Sequence, residues 1–200
     1  MGKVVAGGTV SLDGYIAGRN ASDAELLFGW LFGGDVELPT LTPDVTFRLT
    51  EDDDRYFRDV NDAFGAHVIG RRGFDEADGW GGRHPFDTPI VVVTHSVPQA
   101  WVDAHPDARF TFVTDGLPAA LERAREIAGD RSVGVTAGKI ASECLELGLL
   151  DEIWIDLVPV LLGGGTPFFE QLSGAPVVLD GPDVVAEGSH VTHLRYRVRR

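Results

Sequence analysis

The stretch Val135–Glu152, VTAGKIASECLELGLLDE, decides how this chain is read. β-Branched residues end a strand, Gly138 breaks it, and a helical period follows, with Ile140, Ala141, Cys144 and Leu145 on one face. The apolar run DEIWIDLVPVLL (residues 151–162) then reads as a long strand. Strand, glycine and helix in this order build a parallel α/β unit. The same junction serves either as a plain turn or as a seat for a phosphate at the helix start.

The alternation extends in both directions. Upstream, KVVAGGTVS (3–11) reads as a strand and AELLFGWLF (24–32) as a short helix. LPTLTPDVTF (38–47), with two prolines, reads as a loop. TEDDDRYFRDVNDAF (50–64) reads as a helix with Thr50 as N-cap and acids in the first turn. AHVIG (66–70), PIVVVTH (89–95), RFTFVT (109–114) and SVGVT (132–136) read as strands, and the unbroken apolar run of the second marks burial on both faces. LPAALERAREIAG (117–129) is a helix with the stripe Leu117, Ala120, Leu121, Ala124 and Ala128, ended by Gly129. Downstream, residues 176–199 predict two or three antiparallel strands with glycine-containing turns. The expected architecture is one α/β domain over residues 1–200. It has a mostly parallel central sheet, helices on both faces and antiparallel strands at one edge.

Charge and cysteine usage narrow the function. The net charge of −14 opposes nucleic acid and anionic membrane surfaces, but leaves open an anionic small ligand in a pocket. Cys144 is the one cysteine and lies on an apolar stripe, which suits core packing and a reducing cytoplasm. No signal-peptide pattern and no long apolar run is visible, so a cytoplasmic protein is expected. GxGxxG after the first strand, GxxxxGK[ST], GxSxG and HExxH are all missing. His190 and His193, three apart on an expected strand, should face opposite ways, and no metal site is expected.

In open parallel sheets, ligands sit beyond the carboxyl ends of the strands. Here those ends are SLDGYIAG (11–18), RRGFDEADGWGG (71–82), THS (94–96), TDG (114–116), TAGK (136–139) and GGGTPFF (163–169). They are rich in glycine, hydroxyls and cations. A phosphorylated cofactor needs such close backbone approach, N–H donors and positive charge. Arg71 and Arg72 follow a strand directly and precede a helix expected near Gly73 or Phe74. An arginine there can grip a phosphate with two hydrogen bonds, although two arginines can also simply solvate an acidic surface.

Taken in order, SLDGYIAG, VIGRRGFD, PIVVVTHS, FVTDG, TAGKIASECLELGLLDEIWI and VPVLLGGGTPFF resemble the dihydrofolate-reductase-like superfamily. The pattern is similar to the C-terminal reductase domain of the bifunctional riboflavin-biosynthesis deaminase/reductase, from Lys3 to about Val198, and no HxE…PCxxC deaminase motif accompanies it, so a stand-alone member is expected. The resemblance implies a three-layer α/β/α fold and NADPH as hydride donor. It places Gly8 and Thr9 near the nicotinamide, with Ile16 and Ala17 in the loop that closes over it. Gly70, Arg71 and Arg72 would meet phosphates. Thr94, His95 and Ser96 would hold the adenosine end and its 2′-phosphate. Ala137, Gly138, Lys139 and Ile140 would receive the pyrophosphate, and Gly165 and Thr166 would close the nicotinamide-ribose side.

This chain departs from the family at Ala137-Gly138, where two glycines are usual; the added methyl narrows the backbone freedom. The proton donor is open among Asp13, Asp53 and Asp54, with Asp13 first. The implied function is an NADPH-dependent reductase of a small heterocyclic or carbonyl-type substrate. The alternatives are a nucleotide- or ligand-binding module without turnover, and a riboflavin-pathway 5-amino-6-(5-phosphoribosylamino)uracil reductase. The latter needs a cation for the substrate phosphate, and Arg19, Arg48, Arg55, Arg58 and Lys139 are the candidates. Riboflavin-type relatives are dimers, so a homodimer is expected.

Overall fold

Alternating β-branched and amphipathic segments build the following elements within residues 2–199, the span that the computed structural model describes. In chain order they are β1 (Val4–Ser11), β2 (Tyr15–Ala17), α1 (Asp23–Phe28), β3 (Val36–Pro39), β4 (Thr46–Leu49), α2 (Glu51–Ala63), β5 (Phe64–Gly70), α3 (Arg71–Glu76), β6 (Ile90–Val93), α4 (Gln99–Ala104), β7 (Phe110–Val113), α5 (Leu117–Ala128), β8 (Ser132–Thr136), α6 (Lys139–Glu146), β9 (Glu152–Val158), β10 (Thr166–Pro167), β11 (Leu179–Gly188) and β12 (Val191–Val198).

The main sheet has the order β11-β12-β9-β1-β8-β5-β6-β7. Every pairing from β9 to β7 is parallel, while β12 runs antiparallel to both β9 and β11. One face of β1 (Val4, Ala6, Val10) packs with Leu117, Leu121, Ile140, Ala141 and Cys144 of α5 and α6. On the other face, Val5 and Trp154 pack with Phe64 and with Val60 and Ala63 of α2. The result is the three-layer α/β/α arrangement expected for the dihydrofolate-reductase-like fold. The α5 stripe buries Leu117, Ala120, Leu121, Ala124 and Ala128, the residues its period predicts. Burial pushes the Cys144 thiol up to about 12, the behaviour of a core side chain. Among the described residues, no helix is long and apolar enough to cross a membrane.

Four local expectations change. The loop expected over 38–47 shortens to residues 40–45: its ends belong to β3 and β4, which form a hairpin, with Pro39 at the last position of its strand, where a missing N–H costs little, and Asp44 in a left-handed turn. The helix expected over 24–32 stops at Phe28 and continues as a 3₁₀ turn through Phe32. The strand expected over 151–162 ends at Val158, because Pro159 follows and the chain turns toward Asp13. Helix α3 starts at Arg71, two residues before Gly73, so both arginines lie in its first turn.

Candidate active site

Parallel register brings the carboxyl ends of β1, β5, β6 and β8 to one edge. Gly70 is level with Val93, so Arg71 and Thr94 emerge side by side; Gly7 is level with Thr136, just before Ala137-Gly138. Arg71 Nη1 donates to the Ser96 carbonyl at 3.0 Å and to Thr94 Oγ1 at 3.3 Å, while Nε donates to Asp75 at 2.8 Å. Thr94 Oγ1 donates to the Ser96 carbonyl at 2.8 Å. The guanidinium is thereby held at the strand edge, and Nη2 has no protein acceptor among the described residues. A fixed guanidinium with a spare donor edge fits a phosphate. Arg72 does not join this group: its side chain is 72% exposed and pairs with Glu76 at 3.4 Å. His95 is exposed beside Thr94.

The nicotinamide-side candidates also converge. Thr166 pairs with Ala17 in the antiparallel β2–β10 strand pair. A Cβ placed on Gly138 would lie 3.8 Å from both Ile16 Cδ1 and Thr166 Cγ2. Gly165, at φ +135°, lets the two strands meet: a Cβ there would stand 1.9 Å from the Ala17 carbonyl oxygen. Gly138 has φ +85° and caps α6, and its N–H donates to Phe168 O at 2.7 Å. Ala137 has no positive φ. The departure at this pair therefore leaves the demanding position to a glycine, and the methyl of Ala137 strains nothing. Lys139 is exposed and Ile140 is buried at the start of α6.

Between these groups the floor of the sheet carries no side chain at Gly7 and Gly8, which face its two opposite sides. Both are partly exposed; nothing lies within 4 Å of a Cβ built on Gly8, whereas one on Gly7 would stand 3.7 Å from the Trp154 carbonyl oxygen. Thr9, next along, is buried and accepts from Trp30 Nε1 at 3.3 Å.

The three candidate acids separate cleanly. Asp13 accepts from Ser11 Oγ at 2.6 Å, from Leu162 N at 3.0 Å and from Gly163 N at 2.7 Å. The Ser11 hydroxyl above all, then those amides, hold its carboxyl below the usual range. That makes it a carboxylate clamp on the glycine-rich turn. Asp54 is bidentate to Arg58 at 2.8 and 2.9 Å. Asp53 is fully buried. It accepts from Thr50 Oγ1 at 2.6 Å and Ser189 N at 3.1 Å, while Thr50 caps α2.

Asp53 has partners that no motif pointed to. His193 Nε2 lies 3.3 Å from Asp53 Oδ1, and His193 Nδ1 lies 2.7 Å from Asp156 Oδ1. His193 on β12 is level with Asp156 on β9, which is level with Thr9 on β1, so the three share one face of the sheet, the face under α2. Tyr56 of α2 stacks on His193 with centroids 3.7 Å apart. His190 occupies the left-handed turn between β11 and β12. Pairing DEIWID against HVTHLRY on paper would have met the Asp–His pair, but strand register is not fixed by composition.

Elsewhere, a groove of about 460 Å³ opens at the amino ends of β6 and β7, where Arg83 and Arg109 both pair with Asp87. It lies at the end of the strands away from the glycine-rich edge. Among the described residues, no cluster suits a metal ion.

The model of the RibD C-terminal domain family matches residues 3–180. The chain belongs to that family. Three crystal structures share the RibD-type fold. A riboflavin-biosynthesis-type protein from Shewanella sp. PV-4 is 22% identical, with a TM-score of 0.66 and 99% of each chain covered. A diaminohydroxyphosphoribosylaminopyrimidine deaminase/5-amino-6-(5-phosphoribosylamino)uracil reductase from Thermotoga maritima is 15% identical, TM-score 0.61; 99% of this chain covers 57% of that one. A pyrimidine reductase-like protein from Corynebacterium diphtheriae is 13% identical, TM-score 0.60, covering 92% of that chain. Among curated proteins, YwjB of Bacillus subtilis, uncharacterized, is 27% identical over 71 residues, which is 36% of this chain and 41% of YwjB.

Proposed function

We propose that this RibD-type chain is an NADPH-dependent reductase acting on a small heterocyclic or carbonyl-type substrate. One observation carries the reading: Ile16, Gly138 and Thr166 meet at the carboxyl edge of the sheet that also carries the Arg71–Thr94–Ser96 group. The residues fit a phosphorylated dinucleotide, since Gly8 leaves open space where a Cβ would stand and Arg71 keeps a free donor edge. NADPH, when bound, supplies the hydride. The chain's part is to seat phosphates at Arg71 and the α6 start, hold the ring against Ile16 and Thr166, and exclude water with the β2–β10 strand pair.

Binding without turnover draws less support. Ala137 sits without strain, and a carboxylate–imidazole pair lies next to Thr9. Reduction of a phosphoribosyl pyrimidine, the activity named for the Thermotoga protein, needs a cation for the second phosphate. Arg48, Arg55 and Arg58 pair with Glu37, Asp52 and Asp54, and Arg19 donates to Gly163 O. Lys139 is exposed but stands at the start of α6, already assigned to the cofactor phosphates, so a substrate without a second phosphate is favoured. The proposal includes a homodimer through the edge strand β11, where Val185 is exposed, with Val177 and Val178 beside it; a monomer mass in solution scattering would count against it.

The test is NADPH oxidation, followed by absorbance, with a panel of dihydrofolate, quinone and dicarbonyl acceptors. Oxidation with at least one acceptor is expected. Tight NADPH binding without oxidation by any of them would favour the binding module.

A further inference from the structure

We propose that His193, oriented by Asp53, relays a proton to Asp156, and that Asp156, not an acid of α2, protonates the substrate. This rests on the reductase reading above.

The geometry carries it. A ring nitrogen and a carboxylate oxygen 2.7 Å apart, as for His193 Nδ1 and Asp156 Oδ1, need a proton between them, since two lone pairs would repel. Asp53 Oδ2 accepts from the Thr50 hydroxyl and the Ser189 N–H, and Oδ1 lies 3.3 Å from His193 Nε2. The proposal assigns the Nε2–H tautomer, with the Asp53 carboxylate fixing the ring orientation. Asp53 and His193 have side chains 0% and 1% exposed and cannot touch a substrate, whereas 21% of the Asp156 side chain remains exposed. Asp156 is level with Thr9 and shares its face with Gly7, the half-exposed glycine of the floor.

The groups packed around the relay suit this use. From α2, Tyr56 stacks on the imidazole; burial first, then the Asp156 charge, push its phenol well above its ordinary value, so it stays a neutral donor. From β12, the Arg195 guanidinium lies over the Tyr56 and Trp154 rings, 5.0 and 3.9 Å from their centroids. Trp30 closes the remaining side, edge-on to His193 at 5.3 Å. A buried ionic cluster is seldom worth more to stability than apolar packing of the same volume, which leaves room for a working role.

The step balances as follows. The substrate gains a hydride on one atom, with NADPH oxidised to NADP⁺, and a proton from the Asp156 carboxyl on the neighbouring heteroatom. That proton is the one shared with His193 Nδ1; its delivery leaves His193 as the neutral Nε2–H imidazole, with Asp156 and Asp53 as carboxylates. One solvent proton, entering at the exposed edge of Asp156, restores the cluster.

Two acceptors test it: a dicarbonyl, which needs a proton with the hydride, and N-methylacridinium, a cation that takes hydride alone. The ratio of dicarbonyl to acridinium rates is expected to fall about 100-fold in Asp156→Asn and about ten-fold in His193→Gln and Asp53→Asn, with a flattened pH profile for the dicarbonyl only. Equal losses on both acceptors, or no loss, overturn the relay while leaving the reductase standing. Wild-type protein that binds NADPH yet reduces neither acceptor overturns the reductase and the relay together. Asp156→Asn is isosteric and partly exposed, so it keeps the test alive if the buried variants unfold. Without cofactor, the His193 Nδ1 proton is expected as a slowly exchanging, far-downfield NMR signal coupled to the ring nitrogen; its absence overturns the shared proton.

Discussion

The glycine-rich strand edge and the buried Asp53–His193–Asp156 cluster lie on one sheet, but they are built in opposite ways. The edge is made from backbone: positive-φ glycines, helix starts and one guanidinium held by Thr94 and Ser96. Each of its parts is a short contiguous segment, although the segments come together from residues 7 to 166. The cluster is made from side chains that meet only through tertiary register, with sequence separations of 37 and 140 residues. The edge suits a ligand recognised by its phosphates, while the cluster suits the handling of one proton out of water. Damage should separate accordingly: at the edge it should cost affinity, and in the cluster it should cost stability.

The largest expected effect is in the cluster. Asp53→Ala leaves His193 buried without one carboxylate and removes an acceptor of the Thr50 cap residue. A loss of about 3–5 kcal/mol is expected from urea unfolding. A loss below about 1 kcal/mol would put this region on the same footing as the surface and erase the contrast.

Arg71→Ala should do the reverse. Stability should stay within about 1 kcal/mol, because its ion pair with Asp75 is half-exposed. NADPH affinity should fall about 10–100-fold, the weight of one or two charge-assisted hydrogen bonds. Arg72→Ala, at a residue tied only to Glu76, should leave it within about two-fold.

pH sharpens the comparison through two other, partly buried histidines. His67 is pushed down to about 3, first by burial and then by His84; His84 is pushed down to about 4 by burial. Neither gains a carboxylate of the kind that holds His193. Their folded values lie below the unfolded value near 6.5, so the unfolded chain binds more protons in between. Stability should therefore be intact above about pH 6.5 and fall as pH drops toward 4, by about 1.4 kcal/mol per unit for each histidine. Urea unfolding at pH 7 and 5 measures this. A flat stability would contradict it, and His67→Gln should reduce the slope.

The smallest effects concern the Ala137-Gly138 pair. Ala137→Gly should leave NADPH affinity unchanged and cost no more than about 1 kcal/mol of stability. Gly138→Ala should cost about 1–2 kcal/mol, because an alanine is forced to positive φ at the helix cap.

The same contrast explains what was legible in the sequence. The strand ends could be read because glycine, hydroxyl and cation patterns at strand–helix junctions are contiguous. The stripe of α5 could be read because its period is local. Residues 38–47 misled because two prolines argue against a strand, although Pro39 sits at a strand end, where tertiary pairing tolerates it. Asp53 stood in a run of four adjacent acids, Glu51 to Asp54, and only folding distinguishes the one turned inward to Thr50 and His193. Asp156 and His193 carried no motif at all. Their meeting depends on the antiparallel register of β9 and β12, which a one-residue slip would abolish.

The most direct measurement is a nicotinamide-fluorescence titration of the wild-type protein and of Arg71→Ala with NADPH and NADH. Saturable NADPH binding is expected, tighter than NADH and specifically weakened by the substitution. An absence of NADPH binding up to millimolar concentration would contradict the assignment of the glycine-rich edge as a cofactor site.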